Sequence, residues 1–311
     1  MKREPSRLGF SCGGLVAALL GCAAQAPPPP PVPDAARAFA HLRAQVECGP
    51  RLPGSPGAAC ARRYFTSHLL GAAERVAAQE FRLPDPYGDD SLALVNVLAH
   101  FHTERAARVV LGAHYDSRPW ADRDSGAAAL LPVPGANDGA SGAAVLLEVA
   151  TALAHWDPGI GVDLVFFDGE DYGREGDPQH YLLGSRFFVR TMGAYRPLAM
   201  LLVDMVGDAD LRIPMEGNSL ALAPVLTRLV YAVAESLGVE AFAAVPGQAV
   251  LDDHVPFLEA GIPAVDLIDF DYEPWHTTRD LPESCSPQSL ADVTRVLLHV
   301  LQRLGAGARA S

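Results

Sequence analysis

The chain has 311 residues, 49% of them apolar, which is enough for one large core or at most two. Its formal net charge is −13. A nucleic-acid partner is therefore excluded as a working idea, because phosphate binding needs a basic face. Lys2 is the only lysine, a matter of composition rather than chemistry.

The N-terminus reads as an export signal. Lys2, Arg3 and Arg7 precede an apolar, small-residue stretch from Leu8 to Leu20 that is too short to span a bilayer. It ends in Leu19-Leu-Gly-Cys22, which resembles a bacterial lipoprotein cleavage box. That resemblance implies a signal peptide over 1–21, a lipidated Cys22 and an envelope location with membrane attachment through the lipid. The alternative is an ordinary cleaved signal with an incidental cysteine. Residues 22–34, with Ala26-Pro-Pro-Pro-Pro-Pro-Val-Pro33, read as a Pro-rich tether lifting a single domain, 35–306, off the membrane. In an oxidising envelope Cys48 and Cys60 could bridge the intervening Gly/Pro-rich loop, or remain buried thiols with Cys285.

Beyond the tether the pattern alternates. Helices are expected over 35–46 and 57–73, then strands over 76–83, 91–101 and 107–114. A loop rich in Asp, Pro and Gly runs to 137. Helix 139–155, strand 162–167, helix 184–192, strand 198–206, helix 221–237, strand 263–268 and helix 287–305 follow. Strands alternating with helices predict an α/β fold, a three-layer α/β/α sandwich around a mostly parallel sheet.

Five segments carry the chemistry: Gly112-Ala-His-Tyr-Asp-Ser117, Gly135-Ala-Asn-Asp-Gly139, Phe166-Phe-Asp-Gly-Glu-Asp171, Leu202-Val-Asp-Met205 and Pro274-Trp-His-Thr277. Each sits where an apolar run ends, and ligands of open α/β sheets bind beyond the strands' carboxyl ends. Their His, Asp and Glu side chains delivered to one sheet edge make a metal constellation. Singly, each residue has a plainer reading: Asp138 as a helix cap, His276 as a structural histidine. Glu170-Asp171 stands out. Two adjacent carboxylates at a buried strand end repel unless a cation or a proton intervenes, which favours one metal ligand and one proton-transfer group.

Together with Gly184-Ser-Arg186 and Asp252-Asp-His-Val-Pro-Phe257, these segments resemble the zinc-dependent glutaminyl cyclases of animal and bacterial type, which share the zinc aminopeptidase fold. The resemblance spans about residues 36–305. It implies one zinc on Asp138, Asp171 and His276, with Glu170 as acid/base. It further implies Asp253 and Asp204 in the hydrogen-bond network beside Glu170, and Trp275 walling the substrate pocket. The implied reaction is cyclisation of N-terminal glutamine on peptides or proteins, with ammonia released. There are departures. Animal cyclases carry Glu where Asp171 stands. Their second pocket tryptophan has no match between Tyr172 and Leu183, so Trp120 is the substitute candidate. Their disulfide has no counterpart. The competing reading is an aminopeptidase, in which His114 and Asp204 would hold a second zinc with Asp138 bridging. The Asp171-to-Gly184 insertion, the Asp252-to-Phe257 segment and Trp275 lean toward the cyclase. A non-catalytic envelope scaffold is a third class, disfavoured because every carboxylate is retained. Oligomeric state is left open.

Overall fold

The computed structural model describes residue 1 and residues 28–310. The signal segment and Cys22 lie outside the described residues. Residues 28–34, read above as part of the tether, touch the domain at their start. The Pro28 carbonyl accepts hydrogen bonds from Trp156 Nε1 and Gln302 Nε2, both at 3.1 Å, and Pro30 is buried.

Caps set where helices begin. In α1 (Ala35–Val46) the Asp34 carboxylate accepts the Arg37 amide, and in α2 (Pro56–Leu69) the Ser55 hydroxyl accepts that of Ala58. Helix α2 ends four residues before the expected 73, because Ala72 and Ala73 turn back onto the Leu69 carbonyl. The Cys48–Cys60 disulfide is formed and closes the loop between the two helices.

The strands are β1 (Arg75–Pro84), β2 (Ser91–Phe101), β3 (Arg108–His114), β4 (Gly161–Phe167), β5 (Ala199–Asp204), β6 (Ile213–Met215), β7 (Phe242–Pro246) and β8 (Ala264–Ile268). Six of them form one sheet in the order β1-β2-β4-β3-β5-β8. The β1-β2 and β2-β4 pairs are antiparallel, and β4, β3, β5 and β8 run parallel. The short pair β6-β7 stands apart. The remaining helices are α3 (Ala140–Leu153), α4 (Leu183–Thr191), α5 (Gly217–Leu222), α6 (Pro224–Ser236), α7 (Val255–Glu259) and α8 (Pro287–Ala310).

The layers follow from strand alternation. Val109, Leu111 and Ala113 of β3 face one side with Leu201 and Val203, against α1, α3, α6 and α8. Val110, Val165, Met200 and Leu202 face the other, against Phe188 of α4 and Phe257 of α7. Strands buried on both faces read as continuous apolar runs, which is why β3, β4 and β5 were legible. The short elements β6, β7, α5 and α7 were not, since three to six residues carry no period to detect.

Candidate active site

The parallel strands deliver their carboxyl ends to one edge. His114 is the last residue of β3 and Asp204 the last of β5. Glu170 and Asp171 lie three and four residues past β4, Asp138 sits just ahead of α3, and His276 lies in the loop after β8. All of these except His114, which lies behind Asp138 and Asp204, line a cavity of about 560 Å³ that also takes in Arg118, Asp252, Phe270 and Trp275.

Two triads share Asp138. Ligand-type atoms of Asp138, Asp171 and His276 all lie within 4.8 Å of one another, as do those of His114, Asp138 and Asp204. In the first triad His276 Nε2 stands 3.4 Å from Asp171 Oδ2 and 3.7 Å from Asp138 Oδ2. Asp171 Oδ2 is buried and has no hydrogen-bond partner. Its other oxygen accepts Arg118 Nη1 at 2.6 Å. On the far side of the imidazole, His276 Nδ1 is 3.3 Å from Asp122 Oδ1, and Asp122 is itself held by Arg118 Nε at 3.0 Å. Arg118 thus orients both neighbours of the histidine and leaves Nε2 and Asp171 Oδ2 converging. A carboxylate on the outer nitrogen of a ligating histidine is the usual support of a metal site. An orphaned buried carboxylate oxygen facing an imidazole nitrogen fits zinc, which takes such N/O donors in tetrahedral sets.

The electrostatics agree. Burial alone would lower the His276 pKa, yet Asp171, Asp122 and Asp138 outweigh it and lift it to about 9. The carboxylates draw a cation to this point. In the second triad His114 Nε2 lies 3.0 Å from Asp204 Oδ1 and 3.1 Å from Asp138 Oδ1. Burial opposes charge on His114, but Asp204, Asp116 and Asp138 raise its pKa well above the ordinary value. Both carboxylates converge on the one nitrogen, which can share a single proton between them or, with them, ligate a cation.

The ligand-bearing loops are fixed by two buried carboxylates that the sequence reading gave no role. Asp116 accepts the amides of Glu170 and Asp171 at 3.1 and 3.2 Å. Asp280 accepts those of Asn137 and Asp138 at 2.8 and 3.2 Å and the Tyr272 hydroxyl at 2.9 Å. Gly139 is required for space, since a β-carbon there would lie 2.4 Å from the His114 ring. His276 itself has φ +56, an αL conformation that costs a non-glycine residue energy and marks a held functional position.

Glu170 is 8% exposed. Burial raises its pKa well above the usual carboxylate range; Asp171, Asp252 and Asp253 add to this against His114. Asp253, expected in the hydrogen-bond network beside Glu170, is fully buried, accepts the Ser185 hydroxyl and is among the carboxylates that raise the Glu170 pKa. Its neighbour Asp252 lines the cavity, with its pKa pushed up to about 7, first by burial and then by Asp204. Two consecutive aspartates gave the sequence no means to tell which faced inward. One expectation needs correction: Trp120 lies outside the cavity lining. Its indole is taken up by Tyr87 and Tyr172, with ring centroids at 5.4 and 6.2 Å, and by the Arg174 guanidinium at 4.8 Å. The aromatic wall is Tyr181, Phe270 and Trp275, with Trp275 against Phe270 at 4.8 Å. Arg118, Asp122 and Asp280 lie within or beside quoted motifs, so proximity was the available signal.

Fold and site together define a zinc aminopeptidase-like domain. The profile of Peptidase family M28 matches residues 96–301, well over half of the chain, and the chain belongs to that family. Within it, the chain is 28% identical to the glutaminyl-peptide cyclotransferase of Bos taurus over 285 residues, covering 79% of this chain and 76% of that protein. It superposes on the Bacteroides thetaiotaomicron glutaminyl cyclase bound to N-acetylhistamine with a TM-score of 0.84 and 30% identity, covering 88% and 99% of the two chains. A leucine aminopeptidase precursor from the same organism matches with a TM-score of 0.84 and 31% identity over the same shares.

Proposed function

We propose that this protein is a zinc-dependent glutaminyl-peptide cyclotransferase, converting N-terminal glutamine of peptides to pyroglutamate with release of ammonia. The observation that carries it is Asp171 Oδ2, buried and unpartnered opposite His276 Nε2, with Glu170 beside it in a cavity that has an aromatic wall. Likeness to proteins named glutaminyl cyclases supports the same reading.

Asp138, Asp171 and His276 would hold one zinc. When bound there, zinc supplies Lewis acidity toward the γ-carboxamide oxygen of the substrate. The residues of the chain do the rest. Glu170, Asp204 and Asp252 favour the substrate's α-ammonium group at the cavity floor. Glu170, when ionised, takes one proton from that ammonium, and the burial and neighbouring carboxylates that raise its pKa favour its holding that proton. The amine nitrogen attacks the γ-carbon, the bond closing a five-membered lactam forms, and the C–N bond to the leaving amide nitrogen breaks. Glu170 returns its proton to that nitrogen, which departs as ammonia; the second proton of the attacking nitrogen passes through the freed Glu170 carboxylate to the departing ammonia, so the products are a neutral lactam and an ammonium ion and no water is consumed. Trp275 and Phe270 give the apolar surface against which the glutamine side chain folds. Holding nucleophile and electrophile of one residue in attack geometry is worth several kcal/mol.

The second reading, a two-metal aminopeptidase, draws on the His114, Asp138 and Asp204 triad. The cyclase reading is preferred over it because the chain resembles proteins named glutaminyl cyclases, in a cavity with an aromatic wall. We further infer that lipid on Cys22 anchors the protein at the bacterial envelope, supported by the charged N-terminus and Leu19-Leu-Gly-Cys22. One assay separates the activities: purified protein is incubated with a Gln-initiated peptide and with leucine amide. Ammonia and a pyroglutamyl product from the peptide, without free leucine from the amide, are expected. Free leucine formed at the faster rate would overturn the cyclase in favour of the peptidase.

A further inference from the structure

We propose that Arg51 is the positioning residue that sets where the Asp138 carboxylate stands, and that the Cys48–Cys60 disulfide holds Arg51 in that role. The proposal rests on Asp138 being a zinc ligand, as read above.

Arg51 is fully buried and lies outside the cavity lining. Its guanidinium is spent on three backbone carbonyls. Nε donates to Tyr115 O at 2.8 Å, Nη1 to Pro134 O at 2.7 Å and Nη2 to Gly135 O at 2.5 Å. Its own backbone completes the tie, with Arg51 N donating to Ser117 Oγ at 2.9 Å and Ser117 N to Arg51 O at 3.4 Å. One side chain therefore joins two segments. One, 115–117, directly follows His114 and includes Asp116, the cradle of Glu170 and Asp171. The other, 134–135, leads into Asp138.

The clamp point is specific. Gly135 has φ +70, and a β-carbon there would lie 2.5 Å from both Arg51 Nη2 and the Asp138 carbonyl oxygen. The Gly135 carbonyl also accepts the amide of Ala140, the first residue of α3, at 3.3 Å. A shift of Gly135 must then move the turn 135–140 that contains Asp138. Burial disfavours the Arg51 cation, lowering its pKa to about 10, while Asp280, Asp116 and Asp138 favour it. The cation is thus balanced by the two carboxylate cradles and a ligand, all of them parts of the site. Lysine could not reproduce this, because a point donor cannot span three carbonyls on two segments as a planar fork does.

The disulfide bears on the same residue. Cys48 and Cys60 enclose the 49–59 loop, with Arg51 three residues from the first sulfur. Within it, a β-carbon at Gly57 would lie 2.2 Å from Pro50 O, so the loop folds closely on the residue preceding Arg51.

The test is Arg51→Lys in the full chain, read by zinc affinity in competition with a chelator and by the absorption spectrum of the cobalt(II)-substituted protein. Zinc affinity is expected to fall roughly 10–100-fold, the usual cost of losing support behind a metal ligand, with an altered cobalt spectrum. Peptide KM, and kcat at saturating zinc, should change much less. Melting of the metal-free protein should fall in either case, because buried carbonyls lose their donor; a merely structural role would leave the zinc affinity and the cobalt spectrum of the folded variant as in wild type. Should Arg51→Lys not fold, Cys48→Ser/Cys60→Ser frees the loop with Arg51 present and is expected to weaken zinc by at least about fivefold. Zinc affinity within about twofold of wild type in the folded variant overturns the proposal. Wild-type protein that binds no zinc overturns the ligand reading itself, a result that depends on no variant.

Discussion

Glu170→Gln is the sharpest perturbation of the proposed chemistry. Gln preserves the shape of a side chain that is 8% exposed, so no cavity is opened. It removes the exchangeable proton and one buried negative charge facing Asp171, Asp252 and Asp253. The fold should lose nothing by that relief of repulsion. Turnover should fall about 10²–10⁴-fold, the scale of general acid–base catalysis, or about 3–5 kcal/mol on the barrier. KM should move far less, because the lost interaction belongs to the transition state. Zinc content should stay as in wild type, since Asp171 Oδ2 and not Glu170 faces His276 Nε2. The assay is ammonia release from a Gln-initiated peptide at saturating zinc, with elemental analysis of the same samples. Asp171→Asn should give the reverse pattern, losing metal first and breaking the 2.6 Å contact with Arg118. An active, zinc-replete Glu170→Gln protein would refute the mechanism, and metal loss in that variant would mean the roles of the two neighbours are exchanged.

Other outcomes follow from the same geometry. Burial, aided by His68 and Arg37, lowers the His41 pKa to about 4, and its Nε2 has no partner. Below pH 6.5 the unfolded imidazole takes a proton that the folded one refuses until about pH 4. Stability should therefore fall by up to about 1.4 kcal/mol per pH unit across that window, about 3 kcal/mol in all. In urea unfolding, His41→Gln should flatten this slope, and an unchanged slope would assign the loss to other groups. Trp275→Ala removes the ring that lines the cavity and stacks under Arg123 at 4.9 Å. It should raise peptide KM about tenfold while zinc content holds, and an unchanged KM would place the glutamine side chain elsewhere. Cys22→Ser should abolish palmitate labelling and release the domain from membranes, and a wild-type protein that never takes label would leave only a cleaved signal.

What the sequence made legible was whatever ends a long apolar run. His114, Glu170-Asp171 and Asp204 sit on or just past β3, β4 and β5, whose buried faces give unbroken hydrophobic stretches, so both strands and site residues could be placed. The illegible part has no period. Asp116 and Asp280 act through backbone amides, and a carboxylate that cradles two N–H groups looks in sequence like any loop aspartate. Asp252 and Asp253 are adjacent, and only the turn into α7 decides that the first lines the cavity and the second meets Ser185. Trp120 was chosen because an aromatic wall was needed near the insertion. Tyr87 and Tyr172, from separate segments, claim its ring instead.

The sharing of Asp138 between two triads bears directly on which reaction this site performs. A peptidase needs a water made nucleophilic, and a second ion on His114 and Asp204 would serve that end. A cyclase needs no water, but it must take a proton from an ammonium group. If a proton on His114 takes the place of a second ion between Asp138 and Asp204, that position holds a hydrogen-bond donor and carries no water. The neighbouring carboxylates Asp171, Asp252 and Asp253 act on Glu170, and with its burial they make it more basic than a solvent-exposed glutamate. The same acidic cluster that could hold a second ion thus serves, without it, to create the base that an amine nucleophile requires. That economy ties the one-metal reading to the cyclisation reading: stoichiometric binding of a second zinc would at once displace the proton on His114, lower the Glu170 pKa and shift the chemistry toward hydrolysis.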